Sequence, residues 1–429
     1  MIKKILKNSL QSELIRNSSI LITGSVVGQG IAFLALLLLG RLYSETDFAL
    51  MSTFATVCFL LSLFATGRYE ESLVIARDTK ETNALLGFSL KWMTIFVVFL
   101  FIVLFFFRSS IFSLLKWEEL EPFWWYIPPT VFFLGLFNLL TNLAIHKKQF
   151  KQITSTRLIQ TISNTLFKLI FGFLSFTQIG LIASNMLSQI AGNLPFYSLL
   201  KNIKDSWREK WKTQKQAALR HKDFPHYNLG RTFISAFSIN LPFLVLISVF
   251  DSVSIGFYAF AWNLLYRPLS LVSDALYSTF FKNITVAVQE EKPILPSLKK
   301  YWKLLCLYIL PCFILAFALA QPSVFGFVFS AKWEETAIYF RYLLPWMFML
   351  FVVSPVHFIP IVLKKQNIAM VVESIYLTFR IIALAIGIYS TNFQLCIFLF
   401  CATGFLFSSV LLIWFYCLVK KYDQRLILK

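Results

Sequence analysis

Long apolar runs recur along the whole of this chain, and they limit its fold more than any other feature. "IAFLALLLLG", "WMTIFVVFLFIVLFFF" and "SVLLIWFYCLVK" are three of them. About 20 mostly apolar residues cross a bilayer as a helix, with the backbone hydrogen bonds closed inside the segment. The 429 residues leave room for about twelve such segments. The expected fold class is therefore an all-α polytopic membrane protein. A transmembrane barrel would need strands alternating with period two, which these runs lack. Only 14% of the residues are charged, against roughly a quarter in a soluble domain.

The runs place spans near 17–40, 48–66, 88–107, 123–145, 153–174, 179–200, 231–250, 254–281, 303–320, 338–363, 368–389 and 393–418. The basic, then apolar, N-terminus imitates a signal peptide. Its apolar run is too long for one, so it reads as a retained span. The six cysteines all fall inside apolar runs and have no disulfide or metal spacing.

Lys and Arg alternate between loops and fix the expected orientation. One set of loops and the two termini hold 32 of the 40 basic residues, nine of them between Lys201 and Arg231. The other loops hold Arg41, Arg108, Lys116, Lys332 and Arg341. Both termini are thus expected in the cytoplasm. The net charge of +19 follows from the same rule, with basic loops resting on anionic membrane lipids, and needs no nucleic acid.

A charged tetrapeptide occurs twice. Lys116-Trp117-Glu118-Glu119 returns as Lys332-Trp333-Glu334-Glu335, at an offset of 216. Tyr126 and Pro129 match Tyr342 and Pro345 at that offset. Lys147-Lys148-Gln149 matches Lys364-Lys365-Gln366 at 217, a slip of one residue. Six spans separate the copies, so both halves have one orientation. The expectation is two six-helix bundles around a central cleft, related by a parallel pseudo-two-fold repeat. The halves are residues 1–200 and 231–429, joined by a basic linker at 201–230. The plain reading of the tetrapeptide itself is an interfacial anchor, with Trp at headgroup level. In the linker, Ile203, Trp207 and Trp211 recur every four residues, as in an amphipathic helix lying on the inner surface. Its simplest role is a tether.

Lys168, Arg267 and Arg380 fall within spans, with Asp274 and Glu373 as acidic companions. Such groups are costly in hydrocarbon and must pair or face a cavity. Arg267 and Asp274 are seven residues apart, as are Glu373 and Arg380, so each pair shares a helix face about two turns apart. They read either as locks between helices or as a cationic cavity for an anionic substrate. In the second reading Asp274 and Glu373 pair with the cations or couple an ion. Asn138, Asn142, Asn164, Asn185, Asn240 and Asn263 also sit on spans, where Asn more often joins helices. His146 and His357 lie in or beside spans, and His357 is a weaker proton-relay candidate. No catalytic constellation, phosphate loop, cofactor motif or metal spacing is present. Glu118, Glu119 and Glu121 read as a solvated loop before a metal site.

The stretch "SSILITGSVVGQGIAFLALLLLGRLYSETDFALMSTFATVCFLLSLFATGRYEESLVIAR" resembles the N-terminal region of the polysaccharide transporter family, the Wzx-type O-antigen and capsule repeat-unit flippases. The matching elements are a polar-rich first helix, Arg41-Leu42-Tyr43 with Glu45-Thr46-Asp47-Phe48, and Arg68-Tyr69-Glu70. "DSVSIGFYAFAWNLLYRPLSLVSDALYSTFFKNI" resembles the family's eighth-helix segment. The resemblance implies the multidrug/oligosaccharidyl-lipid/polysaccharide exporter fold, alternating access, and no cofactor. It implies a bacterial inner-membrane flippase for oligosaccharide repeat units on undecaprenyl diphosphate. A sugar polymerase and chain-length machinery are its expected partners. A cation-coupled antiporter of the same superfamily is the second reading, with Glu373 or Asp274 as the acid. A membrane sugar polymerase or glycosyltransferase is the third. It is disfavoured because the outer loops are short.

Overall fold

The computed structural model describes residue 28, residues 30–363 and residues 365–427. The Lys3, Lys4, Lys7 and Arg16 cluster, most of the first span and Lys364 lie outside the described residues. Every regular element among the described residues is helical. The fold is all-α, and the chain is a multi-pass membrane protein.

Long helices fall where the apolar runs lie. They are α1 (Gly30–Leu42), α2 (Glu45–Thr66), α3 (Thr79–Leu115), α4 (Ile127–His146), α5 (Phe150–Phe173) and α6 (Gln178–Asn193). Two short helices follow, α7 (Tyr197–Arg208) and α8 (Trp211–Arg220). Then come α9 (Leu229–Val245), α10 (Ser252–Gln289), α11 (Leu295–Leu319), α12 (Thr336–Val353), α13 (Gln366–Tyr389) and α14 (Phe393–Ile427). Leaving out α7 and α8, twelve of these helices overlap the twelve expected spans among the described residues, α1 only with the end of the first. Eight segments pass length and hydropathy for crossing a bilayer, among the described residues.

Local chemistry sets the helix ends. Ser44 Oγ accepts the Asp47 N–H at 3.3 Å and Asp47 Oδ2 accepts the Ser44 N–H at 2.9 Å, a capping box that starts α2. Gly67, at φ 57°, ends it in the left-handed region. Asp78 Oδ1 accepts the Glu81 N–H at 2.7 Å and starts α3. Both oxygens of buried Asp423 on α14 accept backbone N–H groups of Ile294 and Leu295, each at 2.9 Å. That carboxylate fixes the start of α11 from the far end of the chain.

The chain divides into two compact units, Met1–Gly256 and Phe257–Lys429. In unit 1, α2 is the central helix, packed on α4, α6 and α9, while α5 pairs with α6. Thr53 Oγ1 on α2 donates to the carbonyl of Phe243 on α9 at 3.1 Å. In unit 2, α14 is central and packs on α12 and α13.

The sequence repeat has a backbone counterpart. Moved by 216 positions, the bounds of α5 become those of α13, both 24 residues long. The turns on either side follow the same offset. Gln149 N–H donates to Ala144 O at 2.8 Å, and Lys365 N–H to Pro360 O at 2.6 Å. Ser175 and Thr391 both take positive φ, at 62° and 49°. The one-residue slip suggested by the Lys-Lys-Gln match is therefore absent from the backbone. Hydrogen bonding holds the register, while the side chains have drifted.

The tryptophans of the two Lys-Trp-Glu-Glu copies pack against protein. Trp333 is fully buried and stacks on Phe260 with centroids 4.0 Å apart. Trp117 is half-buried, and its indole N–H donates to Leu244 O at 3.2 Å. Both rings close contacts inside their own units.

Candidate functional site

Among the charges expected inside the membrane whose side chains are described, Arg380 on α13 is the most enclosed, with no exposed surface. Its guanidinium carbon lies 4.1 Å from the Tyr376 ring centroid, 4.3 Å from Phe400 and 4.4 Å from Trp346. A planar, weakly hydrated guanidinium stacks on aromatic faces in a way an ammonium cannot. Three helices supply these rings. Tyr376 is one turn earlier on α13, Trp346 is on α12 and Phe400 on α14. Tyr376 stacks in turn on Phe407 at 3.9 Å. The sequence reading missed this set. The i, i+4 spacing of Tyr376 and Arg380 was a legible signal for one ring. Trp346 and Phe400 come only from packing.

Glu373, two turns before Arg380, is also buried. Its Oε1 lies 3.6 Å from Nε2 of His357, at the break that follows α12. The two residues flagged separately in the sequence are thus brought together. Arg267 and Asp274 lie on α10, and their side chains are outside the described residues. In unit 1, Lys168 on α5 is buried, and its backbone carbonyl accepts the Tyr43 hydroxyl at 2.6 Å.

The span asparagines mostly join helices or their own backbone. Asn164 Nδ2 on α5 donates to Ser188 Oγ on α6 at 2.9 Å. Thr56 Oγ1 on α2 donates to Asn240 Oδ1 on α9 at 3.4 Å. Asn142 and Asn263 each donate to a carbonyl one turn back, at 2.9 and 2.8 Å. At the 216 offset Asn164 stands where unit 2 has Arg380. One helix position therefore carries an amide joint in unit 1 and a caged cation in unit 2. His146 Nε2 lies 3.3 Å from Thr82 Oγ1, tying α4 to α3.

The family-like motif after α2 builds a polar knot. Arg68 takes positive φ, and its guanidinium faces Glu70 at 3.5 Å and also contacts Glu71. Glu71 Oε2 accepts from Asn228 Nδ2 at 3.0 Å. Tyr69 meets Phe88 edge-on at 5.0 Å. Glu70 is buried, and desolvation pushes its carboxyl up, partly opposed by Arg68. Arg41, at the end of α1, is exposed.

The linker is helical and packed. The expected single amphipathic helix breaks at Glu209 and Lys210, whose backbones are extended, giving α7 and α8. Both pack on α3. A Cβ on Gly87 would lie 2.2 Å from Ser206 O and 2.4 Å from Gln214 Nε2, so only glycine permits the approach. Gln214 Nε2 donates to Ser206 O at 2.9 Å, and Ser206 Oγ donates to Asn83 Oδ1 at 3.4 Å. His221 Nε2 lies 3.2 Å from Glu81 Oε1.

Two members of the Glu118, Glu119 and Glu121 group are engaged. Glu119 accepts from Ser252 Oγ at 2.7 Å, and Glu121 lies 3.8 Å from Arg108. No group of three or more His, Cys, Asp or Glu suited to a metal occurs among the described residues.

The model of a family described as "Polysaccharide biosynthesis protein" matches residues 38–338. No curated protein matches the chain. Among solved structures, the lipid II flippase MurJ in an inward closed conformation is similar at TM-score 0.74 and 15% identity. That match covers 94% of this chain and 90% of that one. An inward-facing multidrug resistance MATE family transporter of the MOP superfamily is similar at TM-score 0.68 and 13% identity, covering 95% and 99%. The Vibrio cholerae MATE transporter VcmN in the bent form is similar at 0.53 and 12% identity, covering 97% and 98%. At identities this low the likeness shows the fold alone.

Proposed function

The chain belongs to the polysaccharide biosynthesis protein family, and from that premise we propose that it is a flippase for undecaprenyl-diphosphate-linked oligosaccharide repeat units. The observation that carries this reading is the family match over residues 38–338. The fold shared with a lipid II flippase supports it, since lipid II is named as that protein's cargo. The cargo would pass from the cytoplasmic to the outer leaflet of the bacterial inner membrane by alternating access. It would feed an O-antigen, a capsule or another surface polysaccharide, with a polymerase and chain-length machinery acting downstream. In this reading both termini lie in the cytoplasm. The halves are 1–200 and 231–429, with 201–230 as the cytoplasmic linker.

The physical need is clear. A glycan head cannot cross hydrocarbon unaided, because each unsatisfied polar group costs several kcal/mol. Lys168, Arg267 and Arg380 are the cations proposed to compensate the diphosphate, and Arg suits phosphate oxygens through paired hydrogen bonds. Lys168 and Arg380 are buried in this conformation, so cargo contact requires α5 and α13 to open.

A second reading, a cation-coupled antiporter, draws on the MATE likeness and on buried Glu373 beside His357. One experiment separates the readings. Deletion should trap lipid-linked repeat units on the cytoplasmic leaflet, closed to an impermeant sugar-oxidising reagent in intact spheroplasts, with surface glycan lost. Repeat units that reach the outer face unpolymerised would instead indicate a polymerase. Unchanged glycan with raised sensitivity to cationic drugs would select the antiporter.

A further inference from the structure

α3 carries an exposed apolar stripe through Ile95, Val98, Phe99, Ile102, Phe105 and Phe106. Only 11% of its apolar window is buried within the protein. In a membrane protein such a face meets acyl chains. Towards the start of α3 the stripe ends at Trp92, which is 43% exposed, and at Lys91.

At this end α7 and α8 meet α3. Lys91 Nζ lies 5.7 Å from the Trp207 ring centroid and 5.8 Å from that of Trp211, so both indoles flank one ammonium. Phe88 stacks on Trp211 at 5.7 Å and holds it. Trp207 and Trp211 remain 44% and 50% exposed. A half-exposed indole beside an apolar stripe suits headgroup depth, where one edge is apolar and the other wet. The break at Glu209 and Lys210 lets two different helices present the two rings to one lysine. The Gly87 contact fixes both helices on α3, so the arrangement is built in advance. Between Lys201 and Asp223 the chain has eight Lys or Arg against three Asp or Glu, a surplus that selects an anionic occupant.

We propose that Lys91, Trp207 and Trp211 form a headgroup site for an anionic phospholipid, with the phosphate at Lys91 and the acyl chains along the α3 stripe. Exposed Arg208 and Lys212, next to the two indoles in sequence, add charge. The occupied site would pin the linker against α3. This inference does not depend on which cargo the protein moves.

The test uses the full chain in nanodiscs of phosphatidylcholine with an equal share of phosphatidylglycerol. Native mass spectrometry then reads which lipid stays bound after transfer to detergent. The wild-type protein should retain phosphatidylglycerol in preference. Lys91→Gln should reduce that preference about fivefold, the weight of one basic residue at a charged surface. Lys300→Gln, at an exposed lysine of unit 2, should leave it unchanged. A photoactivatable phosphatidylglycerol gives a readout on the wild-type chain, with label expected on peptides of α3, α7 and α8. Equal retention of the two lipids, an equal loss in Lys300→Gln, or label concentrated elsewhere would overturn the site.

Discussion

The guanidinium carbon of Arg380 sits 4.1 Å from the ring centroid of Tyr376, one turn earlier on the same helix. Trp346 and Phe400 complete the enclosure at 4.4 and 4.3 Å. Replacing a buried charge by an apolar side chain of similar length is often neutral, whereas truncation leaves a cavity. Arg380→Met should therefore melt near the wild-type temperature, and Arg380→Ala should lose roughly 2–5 kcal/mol. If this cation serves the cargo, Arg380→Met folds but moves repeat units poorly. Full transport by Arg380→Met would leave the residue a packing role alone.

Gly87 should tolerate no side chain. Gly87→Ala places a methyl against backbone Ser206 O, and such overpacking costs about 1–3 kcal/mol. The expected outcome is release of α7 and α8, seen as faster proteolysis at Glu209–Lys210 with α3 intact. Unchanged cleavage would mean the linker is not held there.

Glu70 gives a pH dependence with a definite sign. Burial raises its folded-state pKa above the ordinary carboxylate value. The folded state then binds the proton more tightly, so stability falls as pH rises through the window between the two values. Glu70→Gln removes this group. The melting temperature of the variant relative to wild type should climb from pH 4 to pH 7, and Arg68 keeps Glu71 as partner. A gap that shrinks with rising pH would contradict the burial argument.

The amide joint of unit 1 is open to a double-mutant cycle. Asn164→Ala and Ser188→Ala should show a coupling of about 0.6 kcal/mol, the usual weight of such bonds between membrane helices. Additive losses would show that the two residues do not share a bond.

The topology can be mapped with an impermeant thiol reagent in a cysteine-free background. Trp333 is buried and Trp117 is hydrogen-bonded, so both are poor reporters. Cysteines at exposed Lys116, Lys332 and Lys212 serve better. The first two should label from outside and the third should not. Labelling of all three from one side would refute the topology map.

The apolar runs by themselves determined that the chain is helical and where its long helices lie. In hydrocarbon the backbone must bond within each segment, so length and hydropathy suffice. The 216 offset was legible too, and the α5 and α13 boundaries follow it. What each helix faces was not legible. The windows of α2 and α3 have hydropathies of 2.1 and 2.6, yet 72% of one and 11% of the other is buried in protein. Lipid and protein interior are both apolar, so hydropathy cannot separate a core helix from a lipid-facing one. The ring set around Arg380, the burial of Trp333 and the seat of α7 and α8 on Gly87 join residues far apart in the chain. Only the packing of whole helices against one another decided them.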